Sequence, residues 1–269
     1  LGLRLYTLDM ALASSADESV WTTQALALQK SLSDSVIDEA FSTLPPEIQG
    51  AETEAIKKKL LIRRDSLPYM AHRYYKKLQR TPVLTGTEGD DRIVLERFGR
   101  DSLLVRIYPR EDSVPSFQKK YAAKETAEIW LYGLDGNDEY EVKGKSKREI
   151  PVYLITGPGH NTYKMEKAHK IRIYAYDADR EQLDKISGVH KIISDSPAIH
   201  TYDYEKVKYK ELDFTPWGFY DSDVGFSLGA FFTYTMYGFK QSPFTFRHRV
   251  GYNYLQGFMY QGTFPFYDA

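Results

Sequence analysis

Cysteine is absent from the 269 residues. Its absence excludes disulfide scaffolds, cysteine zinc sites and thiol catalysis. A surplus of one charge is also lacking, with 36 basic against 37 acidic residues. That balance gives no general drive toward nucleic acid, and no basic run supplies a local one. No apolar run approaches the roughly 18 residues of a membrane-spanning helix. Leu1 is followed by neither a basic nor an apolar signal-type stretch, so no secretory leader is expected in this span. What the chain has in quantity is aromatic side chains: 14 Phe, 22 Tyr and 3 Trp, 14% of the total. With 42% hydrophobic and 27% charged residues, a packed core is expected and global disorder is not.

The aromatic residues are unevenly spread. Residues 214–269 carry 19 of the 39 aromatics but only six charges: Asp221, Asp223, Lys240, Arg247, Arg249 and Asp268. Three segments follow from this break and from a change of period further forward. Residues 1–80 read as helical. Val20, Trp21, Ala25, Leu28 and Leu32 follow a helical period. Ser33 is placed to cap Asp34–Leu44, which Pro45-Pro46 ends. A third helix is predicted over Glu52–Arg64, with Arg63 and Arg64 suited to its negative end. A fourth starts after Ser66, with Pro68 in its first turn and Met70, Tyr74 and Leu78 along one side.

Residues 81–213 switch to a period of two. Ile93 and Leu95, then Leu103, Val105 and Ile107, alternate with polar residues, as do Ile129 and Leu131, Val152 and Leu154, and Ile171, Ile173 and Ala175. Short strands bounded by Gly and Asp predict an all-β domain, a sandwich or a short solenoid. Segments 110–115 and 144–148 read as polar loops.

Within that domain three turns look alike: Gly86-Thr-Glu-Gly-Asp-Asp, Gly133-Leu-Asp-Gly-Asn-Asp and Gly157-Pro-Gly-His-Asn. The first two partly match the calcium β-roll pattern, and Asp90, Asp91, Asp135 and Asp138 are candidate oxygen ligands for Ca²⁺. A β-roll needs tandem copies, whereas Gly89 to Gly136 spans 47 residues and Gly136 to Gly159 spans 23. The competing reading is conformational: Gly supplies positive φ, and Asp or Asn caps the turn. Calcium is the one cofactor left open. His160 is the most site-like of the six histidines, and Asp177 with Asp179 could share a cation. No P-loop, dinucleotide fingerprint, HExxH or G-x-S-x-G is present.

Residues 214–269 read as membrane-type β-strands. Between Val224 and Gly238, one face carries Val224, Phe226, Leu228, Ala230, Phe232, Tyr234 and Met236; the other is mostly small or hydroxylated. That dyad fits a strand with lipid on one side and a polar lumen on the other. Phe244–Tyr260 repeats it after a turn over 238–243. Trp217, Phe219 and Tyr220, and beyond the second strand Phe264, Phe266 and Tyr267, suit interfacial girdles. The soluble alternative is a hairpin whose apolar face covers a core. Two strands cannot close a barrel, so the barrel is expected to be incomplete.

Several stretches resemble one family along most of the chain. They are Ser33-Asp-Ser-Val-Ile-Asp-Glu-Ala40 through Leu44-Pro-Pro-Glu47, Lys59-Leu-Leu-Ile-Arg-Arg-Asp-Ser-Leu67, Ala71-His-Arg-Tyr-Tyr75, Gly86-Thr-Glu-Gly-Asp90, Leu131-Tyr-Gly-Leu-Asp-Gly-Asn-Asp138 and Ile155-Thr-Gly-Pro-Gly-His-Asn-Thr-Tyr163. Gly225-Phe-Ser-Leu-Gly229 and Tyr237-Gly-Phe239 complete the set. The chain is similar to Bacteroidota outer-membrane proteins that join a calcineurin-like phosphoesterase domain to a surface-antigen or assembly-factor type β-barrel. The resemblance implies their middle region and first barrel strands. The Asp-x-His, Gly-Asp and Gly-Asn-His clusters of a phosphoesterase are absent, so no catalytic residue carries over.

The expected fold is therefore α+β: a helical segment, a β-rich domain and antiparallel transmembrane-type strands. The expected role is non-catalytic, in outer-membrane transport, assembly or surface anchoring. Expected partners are outer-membrane lipid and other outer-membrane or periplasmic proteins, with no nucleic acid. Two alternatives stand beside it: a calcium-stabilised adhesion module, and an accessory region of a phosphoesterase whose active site lies elsewhere.

Overall fold

The computed structural model describes residues 6–13, 15–110, 112–166, 168–202, 210–223, 225–237, 244–254 and 257–263. Among these are seven α-helices and 14 strands in three sheets, a mixed α+β fold rich in β-structure. The chain divides into two compact units, Leu1–Tyr202 and Asp203–Ala269.

The first unit opens with helices α1 (Tyr6–Ala13), α2 (Glu18–Ser31), α3 (Asp34–Ser42), α4 (Ala51–Asp65) and α5 (Leu67–Leu78). Ser33 caps α3 as predicted: Val36 N donates to its Oγ at 3.3 Å. Ser66 does not cap α5. Its backbone is already helical, whereas an N-cap needs an extended residue, and its hydroxyl donates back to Ile62 O at 2.8 Å. Ser66 is thus the single residue joining α4 to α5. The short α1 was not expected from the sequence. Arg64 does more than meet a helix dipole. Its Nη1 donates to Leu32 O at 3.0 Å, and the guanidinium pairs with Asp34 and Asp65. Gln29 Nε2 returns the contact by donating to the carbonyls of Arg64 and Asp65 at 3.3 and 3.2 Å. The ends of α2 and α4 and the start of α3 are fastened at one point.

The β part of this unit is a stack of coils. One sheet is wholly parallel, with β1 (Val83–Thr85), β5 (Ile129–Tyr132), β7 (Val152–Ile155), β9 (Ile171–Ala175) and β10 (His190–Ile193) in that order. The facing sheet runs β4 (Phe117–Ala122), β3 (Ser102–Pro109), β2 (Asp91–Phe98), β6 (Glu139–Gly144), β8 (Thr162–Met165). Here β2, β6 and β8 are parallel, while β3 and β4 form an antiparallel hairpin beside β2. Each of the first three coils has a strand in the first sheet, a Gly turn, and a strand in the second. Of the two expected architectures, this is the solenoid and not the sandwich. It is not purely β: α6 (Arg180–Asp184) follows the fourth turn, and α7 (Pro197–His200) comes after β10.

Period-two residues fill the space between the sheets. Ile93, Leu95, Val105, Ile129, Leu131, Val152, Leu154 and Ile173 are buried in one core cluster. Their alternation is what the sequence displayed, and β-branched side chains suit that position. Lys119 on β4 reaches the loop before α2. Its Nζ donates to Ser15 O at 3.3 Å and Ala16 O at 2.7 Å. Burial lowers its pKa to about 8.

The second unit is a four-stranded antiparallel sheet in sequence order: β11 (Lys210–Asp221), β12 (Gly225–Met236), β13 (Phe246–Asn253) and β14 (Gly257–Thr263). The sequence displayed two of these strands. Trp217, Phe219 and Tyr220 lie inside β11 and not before the first strand, and the stretch Phe244–Tyr260 is two strands and not one. Residues 238–243, Phe264, Phe266 and Tyr267 lie outside the described residues.

Candidate functional site

Two places concentrate unusual chemistry, one in each unit. The first is the stack of turns. Register aligns Gly89, Gly136 and Gly159 along the coils. A Cβ on Gly136 would sit 2.5 Å from Gly89 O, and φ there is +110°, so the close stack requires glycine. Beside this column run two ladders of side chain to backbone. In the outer one, Asn137 N donates to Asp90 Oδ1 at 2.6 Å and His160 N donates to Asn137 Oδ1 at 2.9 Å. In the inner one, Asp91 N donates to Asp138 Oδ1, Asp138 N to Asn161 Oδ1, and Asn161 N to Asp179 Oδ1, each at 2.9 Å. The ladders run in opposite directions. The N–H groups of Asp91, Asn137, Asp138, His160 and Asn161 are thus each met by a neighbouring coil's carboxyl or amide oxygen.

The inner ladder is buried, and its second oxygens are also engaged. Tyr140 donates to Asp138 Oδ2 at 2.9 Å and Tyr163 to Asp179 Oδ2 at 2.5 Å; the two rings stack at 5.5 Å. Burial pushes the Asp138 carboxyl up to about 7, against the N–H of Asp91, which favours its charged form. The carboxylates of Asp91 and Asp90 push the same way as burial. Asp91 Oδ2 accepts from Thr87 N at 2.5 Å, while its Oδ1 has no partner. Across the strand pair from Asp91 stands Pro109, which has no N–H to give.

Three of the four candidate calcium ligands, Asp90, Asp91 and Asp138, therefore meet in one stack, and Asp135 stands apart, exposed at a turn tip. Their oxygens face N–H and O–H donors, and Asp90 also pairs with Arg110. Among the described residues no group of three or more His, Asp or Glu side chains is arranged to hold a metal ion. His160 joins the outer ladder through its backbone. Asp177 and Asp179 turn to different partners, Arg180 and the inner ladder.

The second place is the four-stranded sheet, whose two faces are reversed relative to an ordinary protein. One face carries Leu212, Phe214 and Tyr220 on β11, Phe226, Leu228 and Phe232 on β12, Tyr252 on β13, and Phe258 and Tyr260 on β14, all exposed. Phe214, Phe232, Val250 and Tyr260 form one continuous row across the four strands. The opposite face buries polar groups: Ser227, Thr233, Thr235 and Asn253. Ser227 Oγ bonds Asn253 Oδ1 at 3.1 Å, and Arg247 and Arg249 donate to Thr235 and Thr233 at 3.0 and 3.3 Å. Glycines on this polar face admit rings from the neighbouring strand: Trp217 lies over Gly229, and Phe231 over Gly251. His248, on the apolar face, bonds the Tyr260 hydroxyl at 2.7 Å, which gives its ring a polar partner there.

No helix among the described residues is long and apolar enough to cross a membrane, which says nothing of strands. No protein-family model, curated protein or solved structure matches the chain.

Proposed function

We propose that the four-stranded sheet is a wall of an outer-membrane β-barrel, and that the chain is a non-catalytic part of a protein of outer-membrane transport, assembly or surface anchoring. The observation that carries this reading is the reversed sheet: nine large apolar side chains exposed on one face, polar ones buried on the other. Water would not tolerate so continuous an apolar face on a free surface, whereas lipid would. The strands β11 and β12, 12 residues each, exceed the roughly 9–11 a tilted strand needs to cross a bilayer. The reading requires further strands beside β11 and β14, because unpaired backbone edges are not stable in lipid.

The cysteine-free sequence makes the test clean. Single cysteines at Leu228, Ala230, Phe232 and Tyr234, and at Ser227, Gly229, Phe231 and Thr233, are labelled with a polarity-sensitive dye after reconstitution into lipid vesicles. Lipid-quenchable, blue-shifted emission at the first set and not the second is expected. Equal emission at both sets, or a folded soluble monomer without detergent, overturns the reading.

A further inference from the structure

We infer that Arg247 and Arg249 on β13 form an oxyanion site for a phosphate-bearing solute on the polar face of the sheet. The two stand two residues apart on one strand, on the same face, about 7 Å apart along it. Each is held from behind in the same manner. Arg247 Nε donates to Thr235 Oγ1 at 3.0 Å, and its guanidinium lies 4.3 Å from the Phe244 ring centre. Arg249 Nε donates to Thr233 Oγ1 at 3.3 Å and lies 5.2 Å from the Phe231 ring. Phe231 is itself settled over Gly251, and it stacks on Trp217 at 6.2 Å.

With Nε fixed and the plane backed by a ring, each guanidinium keeps N–H groups beyond the one given to threonine; Arg247 also meets the Tyr237 hydroxyl. Among the described residues neither has a carboxylate within 4.0 Å. The nearest acids by register are Glu211 and Asp213 on β11, each two strands away along the rows Glu211–Thr235–Arg247 and Asp213–Thr233–Arg249. Two strand spacings are about 10 Å between backbones, and among the described residues no direct ion pair closes that gap. The Tyr237 hydroxyl stands between Glu211 and Arg247, donating to Glu211 at 2.8 Å and meeting Arg247 on its other side. Two fork-shaped donors, pre-oriented and without a directly paired carboxylate, are what a tetrahedral oxyanion needs. The strands place this pair opposite the apolar face, so a soluble anion reaches it and a lipid headgroup does not.

The test is calorimetric titration of the full chain, in non-ionic detergent at low salt, with inorganic pyrophosphate. A second arm adds phosphatidylglycerol to the micelles. Saturable pyrophosphate binding is expected. It should weaken about tenfold in R247Q and in R249Q and vanish in the double variant. T233V and T235V, which keep both charges and loosen their hold, should weaken it a few-fold with an unchanged circular dichroism spectrum. Absence of saturable binding, or binding unchanged in the double variant, overturns the site. Arginine-dependent binding of the anionic lipid alone overturns the assignment to a soluble ligand. The dye-labelling pattern across β12 reports separately on the membrane reading, so either can fail without the other.

Discussion

The carboxyl oxygen Oδ1 of Asp138 accepts the backbone N–H of Asp91 at 2.9 Å, 47 residues away in sequence. The bond crosses from the second coil to the first, and it lies where water does not reach.

Burial raises the Asp138 pKa from 3.8 to about 7. A raised pKa means that the folded state binds the proton more tightly than the unfolded one. The stability tied to that proton is complete below pH 4, is lost as pH rises toward 7, and changes no further above it. Asp138→Asn keeps the acceptor oxygen and removes the titration. In urea unfolding, the variant should gain on the parent between pH 4 and 7 by up to about 4 kcal/mol and hold that lead at pH 8. A pH-independent difference between the two would refute the assignment.

Glycine at position 136 is set by two constraints, a φ of +110° and the carbonyl of Gly89 beneath it. Gly188 also has positive φ, +75°, but open space around it. Gly136→Ala should therefore cost more than Gly188→Ala. About 3 kcal/mol or more is expected for the first and about 1 kcal/mol for the second. Thermal unfolding of the two variants side by side measures this, and equal losses would count against the stacked-turn account.

Arg64 gathers α2, α3 and α4 at one guanidinium, whose side chain is 13% exposed. Lysine keeps the charge but not the fork. Arg64→Lys should cost about 1 kcal/mol and Arg64→Ala about 2 kcal/mol. Hydrogen exchange should show the loss across residues 18–78 and leave protection of the β-coils unchanged. Uniform loss throughout the first unit would contradict a local fastening.

The reversed sheet predicts opposite tolerance on its two faces. Phe232→Arg places a charge on the apolar face and should cost about 2–4 kcal/mol for folding into lipid vesicles. Thr215→Arg, exposed on the polar face of β11, should be nearly neutral. Gel-shift of the folded fraction against urea compares them, and similar tolerance at both sites would argue for a sheet wet on both sides.

Much of this was visible in the sequence, for identifiable reasons. The helices α2 to α5 announce themselves by period and by Pro45-Pro46, whereas α1 is too short for its period to register. The three turns are equivalent members of one stack, yet their spacing of 47 and 23 residues conceals it. The hairpin of β3 and β4 lies between the first two coils, and without it the coils are short: Ile129 pairs with Val152, 23 residues on, and Val152 with Ile171, 19 residues on. The ladders themselves are illegible from sequence, because Asp, Asn and His at the same rung act through backbone N–H or through oxygen alike. In the second unit β12 is plain, since its dyad is unbroken. Pro216 and Gly218 mask β11, and the break after Asn253 separates two strands that alternation alone had merged.

The opposed direction of the two ladders makes an inner coil a reversible coupling. Asn137 and Asp138 each give one hydrogen to one neighbour and take one from the other, in opposite senses. A coil of this kind is modular: copied or removed as a unit, it leaves matched rungs on both sides. The outermost coils have no such freedom. Asp91 faces a proline-bearing strand and Asp179 is followed by α6, so the length of the stack is set by its two ends and not by its repeat.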